Sequence, residues 1–199
     1  MDEMRWTIRV IIAVAVLSAA SFAWPYLAVR GLVTAVQSRD VAAINERVNF
    51  AALRRSLTEQ IFRTYLRLTG REARLGQFRD LAMAATGSIA DPMVARLISA
   101  EALVDLLATG WPTAVLPEKL PAFQGLRSGS LGNAWQLFAN SEHGVRTFSL
   151  AVPANAPDSL RFRLQFRLTA WTWKLSAVEL PEEIKVRLTQ ELIKALEKK

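Results

Sequence analysis

The chain has no cysteine and a single histidine, His143. Disulfides, thiol nucleophiles, thiolate metal sites and a lipid-bearing cysteine are thereby excluded. Zinc and iron sites need clustered Cys, His or carboxylates. The nearest acidic groupings, Asp40/Glu46 and Glu182/Glu183, read instead as helix-capping and helix-dipole residues. His143 lies in an expected turn beside Gly144, with no nucleophile-elbow pattern near it, and there is no glycine-rich phosphate loop. The sequence therefore suggests no enzyme, no cofactor and no metal site.

What the chain holds in quantity is apolar residues and arginine. Hydrophobic residues make up 51% of it, and 25 Lys and Arg against 18 Asp and Glu give a formal charge of +7. Mean hydropathy is +0.17, on the apolar side for a water-exposed domain. A cationic chain favours anionic partners. No stretch follows a zinc-finger, RNA-recognition or basic-zipper pattern, so nucleic acid is not expected. Lipid headgroups are the expected counterpart.

The apolar excess is concentrated at one place. Residues 10–29, VIIAVAVLSAASFAWPYLAV, contain no charge. A helix of that length covers ~30 Å, the thickness of a bilayer's hydrocarbon core. Trp6 at one end and Trp24 with Tyr26 at the other stand where aromatic residues meet membrane interfaces. Residues 1–29 are read as a membrane anchor, with Pro25 ending or kinking the helix at its distal edge. A cleaved signal peptide is the rival, with Arg5 and Arg9 as its basic region and Ser21-Phe22-Ala23 as its small-x-small site. Arg5 and Arg9 favour the N-terminus inside.

From residue 30 to 199 a single α+β domain is expected: helices 30–110, a loop 111–133, a sheet 134–181 and a C-terminal helix 182–198. Asp40 can cap a short helix. Asn49 can cap a longer one with an apolar stripe at Phe50, Leu53, Leu57, Ile61, Tyr65 and Leu68. The other face of that helix carries Arg54, Arg55, Arg63 and Arg67, the candidate anionic-surface residues. Further helices are expected over 76–86 and after Asp91-Pro92, and Ser99 caps one at 100–109 that Gly110 closes. Three prolines and three glycines make 111–133 a loop.

Beyond it the period changes to two. Strands are expected at 134–140, 145–152, 160–168 and 172–180, with 142–144 and 169–171 as turns. Short connections make them an antiparallel meander, apolar on the face the helices cover. In LRFRLQFRL (160–168) the leucines and phenylalanines take one parity. Arg161, Arg163 and Arg167 take the other and are expected to keep that face wet.

Two stretches carry a family resemblance. VNFAALRRSLTEQI (48–61), preceded by AVQSRDVAAI (35–44), resembles the start of the domain-of-unknown-function family DUF2939, and WTWKLSAVELP (171–181) resembles its closing strand. The resemblance implies a bacterial protein with an N-terminal membrane anchor and carries over no catalytic residue. Asn49 stands where the family's motif is expected to hold Asp; either residue caps a helix.

The expectation is a non-enzymatic, membrane-anchored interaction or accessory module of the bacterial envelope. It would sit in the inner membrane as a single-pass protein with its C-terminal domain periplasmic. Its partners would be the lipid bilayer and another membrane protein. The alternative is a domain holding a lipid or other apolar ligand between helices and sheet. An unrecognised carboxylate hydrolase or isomerase ranks last.

Overall fold

A computed structural model of the chain describes residues 2–70, 94–118, 120, 123–126, 131 and 134–197. Helix α1 (Asp2–Gln37) is followed by α2 (Val41–Arg47), α3 (Phe50–Leu68) and α4 (Ala100–Thr109). A short helix α5 (Ala134–Ala139) leads into strands β1 (Ser141–His143), β2 (Thr147–Val152), β3 (Phe162–Thr169) and β4 (Thr172–Glu179), and α6 (Glu182–Glu197) closes the chain. The strands form one antiparallel meander in the order β1-β2-β3-β4. The architecture is the expected α+β fold. The helix over 76–86 and the Asp91-Pro92 cap lie outside the described residues.

Local chemistry starts and stops the helices as the sequence suggests. Asp40 Oδ1 accepts from Ala43 N at 2.9 Å and Asn49 Oδ1 from Ala52 N at 3.1 Å. Ser99 Oγ accepts from Ala102 N at 3.0 Å. Gly110 ends α4 in the left-handed region at φ 71°, and a Cβ there would stand 2.4 Å from Gln124 O. Each cap satisfies a backbone N–H or carbonyl that the helix itself leaves unpaired.

Three rungs of apolar pairs cross the sheet: Phe148, Phe166 and Leu175; Leu150, Leu164 and Val178; Val152 and Phe162. All are buried. A bulge opposite Gln165/Phe166 leaves Ser176 as the extra residue on β4. It switches the inward parity from Trp173 and Leu175 to Val178 and Leu180, so β4 keeps its core face despite a sequence that changes register. Helix α3 lies on β4 with Leu53, Leu57 and Ile61 buried, and α6 packs on α3 through Ile184, Leu188 and Leu192. The 111–133 segment, expected as a plain loop, contributes to the core. Trp111 and Phe123 are buried, and Trp111 Nε1 donates to Leu116 O at 2.8 Å.

The first expected strand is a correction. Residues 134–139 are helix, and the strand is 141–143, two residues of which belong to the expected turn 142–144. Ala, Gln and Leu favour helix. The short β1 is set by its partner, through Ser141↔Leu150 and His143↔Phe148.

The free edge of β4 is covered by side chain and backbone from elsewhere. Val48 bridges Leu175 in parallel, and Asn49 N donates to Leu175 O at 2.8 Å. Further along, Gln60 Nε2 donates to Val178 O at 2.9 Å and Gln60 Oε1 accepts from Leu180 N at 2.9 Å. An open edge invites pairing with another chain; this one is closed. The stretches 48–50 and 171–181, which carry the family resemblance, therefore meet in space as a structural junction.

Candidate functional site

Helix α1 is unbroken across the expected anchor boundary at residue 29, and Pro25 lies inside it rather than at its end. A proline costs a helix one backbone hydrogen bond. Here the turns beyond it are held by burial, since Val29, Leu32, Val33 and Val36 are core residues. Toward the other end of the same helix large apolar side chains are uncovered. Trp6, Ile8, Val10, Ile11, Ile12 and Val14 are all exposed. Among the described residues no helix is long and apolar enough to cross a membrane. The side chains of 16–22, in the middle of the uncharged run, lie outside the described residues.

The three expected interface aromatics separate. Trp6 and Trp24 are exposed, at 69% and 55%. Tyr26 is half-buried and belongs to the domain. Its hydroxyl shares a 2.9 Å hydrogen bond with Ser141 Oγ, and its ring meets Phe148 edge-on at 5.0 Å and His143 at 5.6 Å. Helix α1 thus enters the domain within one turn of Trp24.

The four arginines of α3 are each exposed, but they do not form the single face expected, since buried Phe62 and Leu66 interrupt it, and they have no common role. Arg63 pairs with Glu59 one turn away, and Arg67 pairs with Glu182 of α6. Gln60 and Arg67 place the C-terminal half of α3 beside the Glu179 end of β4. Arg54 and Arg55 lie nearer the opposite end. The set is therefore not one uncompensated patch.

The strand arginines also separate. Arg161 does not serve a wet face. It donates from Nε to Ala156 O at 2.6 Å, from Nη2 to Ala154 O at 3.0 Å and from Nη1 to Asn140 Oδ1 at 2.7 Å. This guanidinium clasps the loop 153–157, which follows the cis Val152–Pro153 bond, to the end of α5. Arg163 lies between Glu142 at 2.5 Å and Glu179 at 3.8 Å. Arg167 is exposed, with Lys174 as its cross-strand neighbour. Period two correctly separated these residues from the core. It could not show that the chain returns over Arg161.

A cleft of about 440 Å³ lies at this end of the sheet, lined by Glu142, Asp158, Arg161, Arg163, Glu179 and Lys185 among others. Its charges are largely matched. The Arg163 hydrogen bond and charge hold Glu142 below the ordinary carboxylate value of 4.5. Lys185, then Arg67, do the same for Glu182. A general acid needs the opposite, a carboxyl raised towards neutrality, so these groups suit ion pairing rather than proton transfer. Among the described residues no cluster of three His, Cys, Asp or Glu could hold a metal ion. Between helices and sheet, a cavity lined by Leu106, Leu107, Val152, Phe162 and Leu164 measures about 10 Å³. That is about the room one water needs and far below a lipid's volume.

No curated protein and no solved structure matches the chain. Residues 14–106 match the model of one family, a stretch that takes in most of the uncharged run, α2, α3 and the greater part of α4 and leaves 171–181 outside. Over those residues the chain is similar to the family described as protein of unknown function, DUF2939.

Proposed function

We propose that this protein is a non-enzymatic interaction module of the bacterial envelope, anchored in the inner membrane by the N-terminal part of α1, with the rest of the chain periplasmic. The observation that carries the reading is the division of one helix. Trp6, Ile8, Val10, Ile11, Ile12 and Val14 are large, apolar and exposed, while Val29, Leu32, Val33, Ala35 and Val36 are buried in the domain. A water-exposed helix with that much uncovered apolar surface calls for a partner. The interval from Trp6 to Trp24 holds 19 residues. At 1.5 Å each they cover ~28 Å, close to the ~30 Å of a hydrocarbon core. Arg9, near the N-terminal end of that interval, can extend its guanidinium to the inner interface. The bilayer is one partner, and another membrane protein is the second.

Carbonate washing of membranes, followed by intact-mass measurement of the full chain, tests the proposal. Retention in the pellet with residues 1–24 attached is the expected result. Release into the wash, or a mature chain beginning at Trp24, refutes it.

A further inference from the structure

One end of the sheet differs from the rest of the surface. Gly144–Arg146 joins β1 to β2, and Ala170–Trp171 joins β3 to β4. The two turns lie side by side. Leu168 N donates to Arg146 O at 2.9 Å, and the Arg146 guanidinium donates to Leu168 O at 3.4 Å. At their tips Val145 is 97% and Trp171 86% exposed. Ala170 and Trp171 both have positive φ, at 46° and 64°. Glycine or asparagine would adopt that turn at lower cost. An indole is held out in solvent on a backbone that does not favour it, and such strain concentrates where a side chain has work to do.

Exposed rings continue from these turns to the root of α1. Trp135 and Phe138 of α5 are exposed and stacked at 6.1 Å. Phe138 lies 6.2 Å from His143, and His143 lies 5.6 Å from Tyr26. Tyr26 is two residues, ~3 Å of helix rise, from exposed Trp24. The two turns and the strand ends that flank them carry charge of one sign. Residues 144–149 and 166–175 include Arg146, Arg167 and Lys174 and no Asp or Glu. Glu142, just before His143, is engaged by Arg163. Asp158, Glu179 and Glu182 line the cleft at the opposite end of the strands.

We infer that this end of the domain is a docking surface for the bilayer interface on the side where α1 emerges. Trp135, Phe138, Val145 and Trp171 enter the headgroup boundary, while Arg146, Arg167 and Lys174 meet anionic phospholipid headgroups. The inference rests on the anchoring proposed above and goes beyond it: the domain lies against the membrane in one orientation rather than swinging from its helix. Aromatic rings prefer that boundary, and cations are drawn to an anionic leaflet. The apolar half of α1 fixes which surface is close enough to be covered. The arginines of α3 that pair with Glu59 and Glu182 are not part of it.

The absence of cysteine makes the test direct. The full chain is prepared as single-cysteine variants Ile12→Cys, Val145→Cys, Trp171→Cys and Ser159→Cys, each labelled with an environment-sensitive fluorophore. Each is placed in protein-free vesicles of phosphatidylcholine and phosphatidylglycerol, with and without a lipid carrying a spin label on its acyl chain. Labels at 12, 145 and 171 should be blue-shifted and at least twofold quenched, and the label at 159 should be neither. With phosphatidylcholine alone, quenching at 145 and 171 should fall by at least half, while that at 12 is unchanged. Labels at 145 and 171 that behave like 159 while 12 is quenched overturn the docking and leave the anchor standing. An unquenched label at 12 overturns both. A blue shift at 145 and 171 in native membranes with none in vesicles overturns the inference in favour of a protein partner.

Discussion

Arg161 offers the sharpest test of the reasoning, because two readings of one residue differ by a measurable amount. As a solvated strand residue, its loss would change stability by about 0.5 kcal/mol or less. In the structure its side chain is only 22% exposed and donates three hydrogen bonds, two of them to carbonyls of the 153–157 loop. The ion pair with Asp158 adds little, since that carboxylate is 94% exposed. Hydrogen bonds from a charged donor contribute roughly 1.5–3 kcal/mol each when buried, and rehydration of partly exposed acceptors recovers much of that. Arg161→Ala should therefore cost about 2 kcal/mol, lowering the melting temperature by about 4–8 °C for a domain of this size. Arg161→Lys should recover less than half, because an ammonium cannot span three acceptors as a planar fork does. Arg167→Gln, on the same strand and exposed, should change stability by less than about 0.5 kcal/mol. Thermal melts of the full chain in detergent, followed by circular dichroism, measure all three. Equal melting temperatures for Arg161→Ala and Arg167→Gln would refute the clasp.

Gln60→Ala should cost about 2 kcal/mol, because it strands the Val178 carbonyl and the Leu180 N–H at the edge of β4; hydrogen exchange at Leu180 should rise with it, and an unprotected Leu180 in the parent chain would contradict this. Glu142 and Glu182 are held below 4.5 in the folded state. Their contribution is present above pH 4.5 and is lost as pH falls through the lowered folded values. Glu142→Gln with Glu182→Gln should therefore flatten the acid side of a stability-against-pH curve, and an unchanged slope there would count against both pairs. Trp171→Gly should raise the melting temperature, because relieving a left-handed non-glycine residue is worth about 1 kcal/mol; a lower melting temperature would mean that the indole packs on the domain.

Much of the fold was legible in the chain itself. Asp40, Asn49, Ser99 and Gly110 cap helices where their types and spacing place them, because a cap depends on a few neighbouring residues and their backbone groups. Leu53, Leu57 and Ile61 of the α3 stripe and the alternation of β2 and β3 likewise follow from periods that the backbone imposes, whereas at the end of α3 Leu68 is exposed and Phe62 and Leu66 are buried instead, because α6 packs there. Sequence pattern and structure part where two distant segments decide the outcome. The stretch 134–140 alternates well enough for a strand, yet Trp135 and Phe138 also stand three apart as on a helix. Only the position of Leu150 and Phe148 determines that pairing starts at Ser141.

The candidate site divides in the same way. An uncharged run with tryptophans near its ends is visible in the sequence, because hydrophobicity and length are properties of the segment. That α1 continues past Pro25 into the core, that Tyr26 turns towards Ser141 and His143, and that Val145 and Trp171 share one end with the root of that helix are properties of the packed chain. Alternation tells which side of a strand a residue occupies. What lies opposite it, a returning loop for Arg161 or open solvent for Arg167, is decided only when the chain folds back on itself.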